Sequence, residues 1–183
     1  MKELADAQLV RACLDGQLAA FAELVDRYQG VIYNAAYRIT GTPEDARDVT
    51  QTVFVKAYTH LDRYQPRHEF FSWVFRIAVN ESINSLKRNR RLVALSEANA
   101  PPVAHNPETA CTAGEAEGQL LDALRRIQVD YRIVIVMRHF LNCSYRRIAD
   151  VLGVPEKTVK SRLFTARHLM RDILSRRGME IHG

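Results

Sequence analysis

Between Ser144 and Arg171 the chain reads SYRRIADVLGVPEKTVKSRLFTARHLMR, two short amphipathic helices set around a glycine, and this hinge restricts the fold more than any other segment. In the first helix Ile148, Ala149 and Leu152 share a face, and Ser144 stands where an N-terminal cap is needed. Gly153 permits a sharp turn, and Pro155 suits the opening of the next helix because its missing N–H would be an unpaired donor there anyway. The second helix buries Val159, Leu163 and Ala166 and turns Lys157, Lys160, Ser161, Arg162, Phe164, Thr165 and Arg167 outward or sideways. A helix of this kind can neutralise phosphates and present hydrogen-bonding groups in a major groove. The competing reading is a solvated basic helix in an ordinary bundle.

The rest of the chain is helical in period. Leu18, Phe21, Leu24, Val25 and Tyr28 make one stripe, and Ile32, Ala35, Ala36 and Ile39 make another that ends at Gly41. Thr42-Pro43-Glu44-Asp45 supplies a cap, a proline at the first helical position and acids in the first turn, so a helix should run from there to about His60. Residues 63–68 form a loop. From Glu69 to Arg91 there is no glycine or proline, and Phe71, Val74, Phe75, Ala78, Val79, Ile83 and Leu86 keep helical spacing on one long helix. Leu92 to Gly118 holds three prolines and few large apolar residues, so it reads as a flexible linker. A second bundle follows: Leu120, Leu121, Leu124 and Ile127 begin it, and Asp130 is placed to cap a helix that turns Ile133, Val134, Met137 and Phe140 inward. The run 133–136 is β-prone in isolation but lacks a partner strand. The expected fold is all-α: two small helical bundles joined by a flexible linker, the second containing the helix-turn-helix.

Charge is distributed unevenly. Residues 1–81 sum to −2, residues 82–95 to +4, residues 96–117 to −4 and residues 118–183 to +7. Two positive regions divided by an acidic strip are the footprint of a chain that touches nucleic acid at two places. Three cysteines far apart, Cys13, Cys111 and Cys143, suit reduced thiols in a reducing compartment. No run of eighteen apolar residues occurs and the N-terminus is too polar for a secretory signal, which points to a cytoplasmic protein. No Gly-rich phosphate loop, HExxH or Cys/His set at metal spacing is present; His139 and Cys143 lie at i, i+4, two ligands that do not complete a site. The chain is therefore read as a non-enzyme with no cofactor and no small-molecule substrate.

DARDVTQTVFVKAY at 45–58, the loop at 62–69, FFSWVFRIAVNESINSLKRNRR at 70–91 and the helix-turn-helix, in this order and spacing, resemble the extracytoplasmic-function (ECF) sigma factors of bacterial RNA polymerase. The resemblance covers nearly the whole chain, from Asp6 to about Leu174. It implies a region 2 domain over residues 1–92, a linker over 93–117, a region 4 domain over 118–178 and a short tail over 179–183.

The same resemblance assigns surfaces. Asp45, Asp48, Val49, Gln51 and Thr52 would dock on core RNA polymerase, at the coiled coil of its β′ subunit, with the β flap as the second contact. Tyr64, Arg67, His68, Asn80, Asn84, Lys87, Arg88, Arg90 and Arg91 would bind the −10 promoter region as a single strand, Asn80 beside a flipped base and the basic end of the helix on phosphate. A flexible loop beside an aromatic-rich helix with a basic end agrees physically, whereas Trp73 and the phenylalanines fit the core stripe. Lys157, Thr158, Lys160, Ser161, Arg162, Phe164, Thr165 and Arg167 would bind the −35 duplex, with Arg162 and Arg167 on phosphates. The acidic linker reads as a stand-in for RNA charge in the exit path or as a passive tether. The family further implies an anti-sigma partner, which when membrane-anchored would hold the factor at the inner membrane. A conventional helix-turn-helix regulator acting without polymerase is the alternative.

Two departures from the family pattern stand out. Arg147 occupies a position usually held by Glu, three residues after the Ser144 cap, and sets a cation against the helix dipole at a cost of a few tenths of a kcal/mol. It would face DNA phosphate or an acidic partner. Ile127-Gln128 replaces a common Leu-Pro pair, and Lys157 a common Gly.

Overall fold

The computed structural model describes residues 5–67, 69–97 and 115–176. It is all-α among these residues. Helices α1 (Asp6–Leu14), α2 (Leu18–Thr40), α3 (Pro43–Thr59) and α4 (Phe70–Glu97) make the first bundle, with a 3₁₀ turn at Leu61–Arg63. Helices α5 (Glu115–Arg126), α6 (Val129–Ile135), α7 (Tyr145–Leu152) and α8 (Glu156–Ser175) make the second, with a π-helical turn at Val136–Phe140. None of these helices is long and apolar enough to cross a membrane.

The two stripes read at 18–28 and 32–39 lie on one uninterrupted helix, α2, which carries Gly30 in its interior. A glycine there costs about 1 kcal/mol relative to alanine, too little to break a helix whose Leu24, Ile32, Ala35 and Ile39 are buried on either side of it. Gly41 then ends α2 in the left-handed region at φ 97°. Thr42 caps α3: its Oγ1 accepts from the Asp45 amide at 3.2 Å and donates to the Asp45 carboxylate at 2.7 Å. That carboxylate also accepts from Ser85 Oγ at 2.7 Å and Asn89 Nδ2 at 2.9 Å, which fastens the start of α3 to the middle of α4. At the far end Asp6 accepts from Arg27 Nη1 and the Tyr28 hydroxyl, each at 2.5 Å, tying α1 to α2. Tyr64, Phe70, Trp73 and Tyr28 form an aromatic cluster below the loop, so Trp73 packs with the core as its spacing implied.

Helix α4 runs six residues past the expected end at Arg91, because no glycine or proline follows until Pro101. The expected linker 93–117 is thus helical at both margins, and its remainder, residues 98–114 with Cys111 and His105, lies outside the described residues, as does the tail.

In the second bundle the Ser144 cap and the Gly153 turn are both present: Ser144 Oγ accepts from the Arg147 amide at 3.1 Å, and Gly153 sits at φ 65°. Asp130 does not cap α6. Gln128 occupies the cap position, and the Asp130 carboxylate, in the first turn, pairs instead with Arg162 at 3.0 Å. The β-prone run 133–136 is buried helix. The π-helical turn after it lets Cys143 N–H reach Met137 O at 3.0 Å, and Phe140 ends half-buried beneath the Arg38 guanidinium, 4.4 Å from the ring centre.

The buried apolar residues of both bundles form one cluster, and two seams of arginines join them. At the end of α2, Arg125 donates to Gly41 O, and Arg132 donates to Ile39 O, Arg125 O (2.8 Å) and Ile127 O (3.2 Å). Burial, then the Arg125 and Arg90 charges, lower the Arg132 pKa to about 10, so it stays protonated near neutral pH. At the start of α4, Arg76 Nε donates to Val151 O at 3.1 Å and its Nη2 to Asp150 O, while Arg147 pairs with Glu69 and lies 5.3 Å from the Phe71 ring centre.

Thr42→Ala should lower stability by about 1 kcal/mol through loss of the cap. Gly41→Ala should cost more, because an L side chain in the left-handed region is strained by about 1–2 kcal/mol and its Cβ would stand 2.6 Å from Arg125 Nε. Denaturant unfolding of the two variants checks the order.

Candidate nucleic-acid and polymerase interfaces

On α3 the spacing of Asp48, Gln51 and Thr52 leaves Asp48 and Gln51 exposed and Thr52 half-buried on one helix face. Two of the residues assigned with them sit elsewhere. Val49 is 3% exposed and belongs to the core, and Asp45 is occupied by the hydrogen bonds that fasten α3 to α4. The exposed face continues instead to Val55 and Tyr58, which are 59% and 48% exposed, with the Phe21 ring 5.0 Å from Tyr58. Sequence reasoning passed over both because apolar residues at helical spacing read as core; the signal was that Val55 falls i+4 from Gln51, on the polar face.

Across a shallow groove from Asp48, Gln51 and Thr52 lie Asn84, Ser85 and Arg88 of α4. Asn84 Nδ2 contacts Glu81 at 3.4 Å, and Glu81 pairs with Lys56 at 2.7 Å. Two residues read as binding the −10 strand therefore stand beside the α3 face. The others are dispersed. Tyr64 is buried in the aromatic cluster, where burial and then the Asp6 and Glu69 charges raise its pKa, so its ring offers no free stacking face. Arg67 lines a cavity of about 610 Å³ with Tyr28, Glu69, Phe71 and Arg147. His68 lies outside the described residues. Asn80 is exposed and lines a cleft of about 360 Å³ whose opposite wall is Asp130, Val151, Gly153 and Arg162 of the second bundle. Lys87, Arg88, Arg90 and Arg91 are exposed along the last turns of α4.

Helix α8 separates its faces cleanly. Val159, Leu163, Ala166, Met170 and Leu174 are buried, while Lys157, Lys160, Ser161, Phe164 and Arg167 are exposed and Thr158 and Thr165 half-buried. Phe164 stands 66% exposed, its ring edge-to-face with His168 at 4.5 Å. An apolar ring held out on a basic helix can meet a thymine methyl in a major groove. His168, one turn on, was not singled out from the sequence, although the i, i+4 spacing carried it. Arg162 differs from its neighbours: it turns back to Asp130 and the cleft. Arg167 Nε donates to His139 Nε2 at 3.4 Å, so His139 takes part in an ordinary side-chain contact, and no group of three metal-ligating side chains occurs among the described residues.

The two bundles match two family models in order. Residues 24–92 match Sigma-70 region 2 and residues 117–170 match Sigma-70, region 4. The chain is 30% identical over 182 residues to the ECF RNA polymerase sigma-E factor of Haemophilus influenzae, covering 93% of this chain and 96% of that one. The chain belongs to the ECF sigma factors. It is 29% identical over 169 residues to the ECF RNA polymerase sigma factor SigW of Bacillus subtilis, covering 85% and 89%. Among solved structures it is similar to CnrH in complex with the cytosolic domain of CnrY, with a TM-score of 0.72, 28% identity and coverage of 94% of this chain and 98% of that chain. As a sigma factor the protein is a transcription-initiation subunit and not an enzyme.

In this sigma factor, burial and then the Arg167 and Arg138 charges depress the His139 pKa below its ordinary value. The folded state thus takes up its proton at lower pH than the unfolded chain, and the neutral ring's contribution to stability, fully present above about 6.5, is lost as pH falls from there through the lower folded value. His139→Gln should lose less stability than wild type between pH 7.5 and 5.5, as measured by denaturant titration at the two pH values.

Proposed function

We propose that this sigma factor directs promoter-specific initiation by docking on core RNA polymerase through the α3 face of Asp48, Gln51, Thr52, Val55 and Tyr58, binding −35 duplex with α8, and holding −10 DNA as a single strand along α4. The observation that carries the reading is the pairing of a region 2 bundle with a region 4 bundle whose α8 exposes Lys160, Ser161, Phe164 and Arg167 in one row. Binding energy collected at the two DNA elements offsets local unpairing, which costs on the order of a few kcal/mol. The exposed α4 cations Lys87, Arg88, Arg90 and Arg91 supply the sequence-independent share of that energy. Residues 1–92 and 118–178 act as the two functional units on either side of the acidic linker.

CnrH was solved in complex with the cytosolic domain of CnrY, and the likeness supports a protein partner for this chain, which the sigma reading identifies as an anti-sigma factor. Such a partner, when it carries a membrane anchor, would hold the factor at the inner membrane until it is released.

Run-off transcription with purified core polymerase on a genomic promoter pool tests the reading. New transcript starts sharing −35 and −10 elements at fixed spacing are expected; no stimulation, together with tight operator binding in the absence of polymerase, would replace it with a conventional regulator.

Two substitutions separate the surfaces. Tyr58→Ala should weaken core polymerase affinity at least about 5-fold, the scale of an aromatic anchor worth more than 1 kcal/mol, and leave −35 duplex binding intact. Phe164→Ala should leave core affinity unchanged and lower transcription about 10-fold on promoters with thymine at the contacted position, since a good base contact carries roughly 1–3 kcal/mol. Fluorescence anisotropy with labelled core and with −35 duplex reads the two effects apart.

A further inference from the structure

We propose that His139, carried on the π-helical turn of the second bundle, is a positioning residue for −35 binding: its ring holds Arg167 by Nε and so aims the two Nη groups at a phosphate of the duplex. The role rests on the reading of α8 as the −35 surface. Its geometry is one contact between two elements. Arg167 Nε donates to His139 Nε2 at 3.4 Å, and both residues are exposed. Arg167 stands at i+7 from Lys160 and i+3 from Phe164, at the end of the row that α8 turns outward. His139 lies 28 positions earlier, on the turn Val136–Phe140, and widened turns of this kind are frequent at functional sites.

The chemistry of the contact suits aiming. A guanidinium carries five N–H donors in a fixed fork, so one bond at Nε orients the plane and leaves the Nη groups to grip a phosphate in the two-point geometry that arginine favours. The acceptor is neutral. Burial, and after it the Arg167 and Arg138 charges, hold the His139 pKa below its ordinary value, so above about pH 6.5 the ring keeps the lone pair that Nε2 needs. Arg162, five residues earlier on the same helix, shows the other outcome: its partner is the Asp130 carboxylate at 3.0 Å, which neutralises it and draws it to the cleft. An imidazole acceptor orients a cation without cancelling the charge that attracts DNA phosphate.

Orientation matters because the side chain is long. A free arginine gives up its rotamer freedom when it closes on a phosphate, and a contact made beforehand lowers that cost. Such a contact adds no base readout; it strengthens the sequence-independent share of binding. His139 thereby acts through Arg167, and its effect on affinity is the same whatever the base sequence beside it.

The test is a double-mutant cycle in reconstituted holoenzyme, the full chain with core polymerase, read at pH 7.5 as affinity for a labelled duplex carrying the −35 element found by run-off transcription. Arg167→Ala should weaken binding several-fold and lower the slope of log affinity against log salt by about 0.9, the value of one phosphate contact. His139→Leu should weaken binding roughly 3-fold, the scale of one net hydrogen bond, and should have no further effect in the Arg167→Ala background. His139→Gln, whose Oε1 can accept in place of Nε2, should restore wild-type affinity. The His139→Leu loss should persist when the −35 bases are changed. Equal losses from His139→Leu in both backgrounds, as damage to the fold would give, no loss at all, a loss confined to one base sequence, or no rescue by His139→Gln overturns the positioning role. Unaltered affinity and slope in Arg167→Ala overturn the placement of Arg167 on phosphate and the role of His139 with it, whereas the sigma reading falls only if run-off transcription shows no new starts.

Discussion

The arrangement of the two bundles depends on guanidinium groups placed on helix C-termini. The last carbonyls of a helix lack intrahelical donors and carry partial negative charge, so a buried end needs partners from elsewhere. Here they come from across the boundary: Arg132 and Arg125 reach the end of α2, and Arg76 reaches the end of α7. Hydrogen bonds from a charged donor contribute on the order of 1.5–3 kcal/mol when well placed, against about 0–1 for an exposed ion pair. The α2 seam, with Arg132 6% exposed, is therefore the stronger of the two, and the α4–α7 seam the weaker. Arg132 also accounts for its own second bundle, since its contacts to Arg125 O and Ile127 O close the turn between α5 and α6.

This layout assigns opposite duties to polar residues of one type. Arginines on the outer faces of α4 and α8 remain exposed, whereas those on the facing surfaces are spent on backbone carbonyls, a carboxylate or an aromatic ring. Arg162 marks the division within α8: it lies between exposed Ser161 and buried Leu163, and it turns to Asp130 where its neighbours face outward. Counting positive charge along a helix does not distinguish these uses; the direction of each side chain does.

Much of the fold was legible because it is decided within a few residues of chain. The Thr42-Pro43 start, the Gly41 stop, the Ser144 cap and the Gly153 turn are each a local matter of one side chain or one φ angle. The all-α class followed from periodicity. What escaped depends on neighbours distant in sequence: Asp130 caps nothing because Arg162 claims it, Val49 and Tyr64 are buried by partners on other elements, and the compensation of Arg147 lies 78 positions away at Glu69. Val55 and Tyr58 were hidden for the converse reason, since an apolar residue on a helix looks the same in sequence whether it is covered or bare. The family match carries the function beyond what the residues alone would support.

The Asp45 carboxylate joins the first turn of α3 to Ser85 and Asn89 of α4 through two short hydrogen bonds, at 2.7 and 2.9 Å. The helix proposed to dock on polymerase and the helix that carries the row of exposed cations are consequently joined at one point, close to that row. On the proposed reading, a displacement of α3 as it seats on a partner would be carried to α4 through those two bonds. The grip on the partner and the aim of the cations then become a single mechanical variable, and a partner that shifts one sets the other.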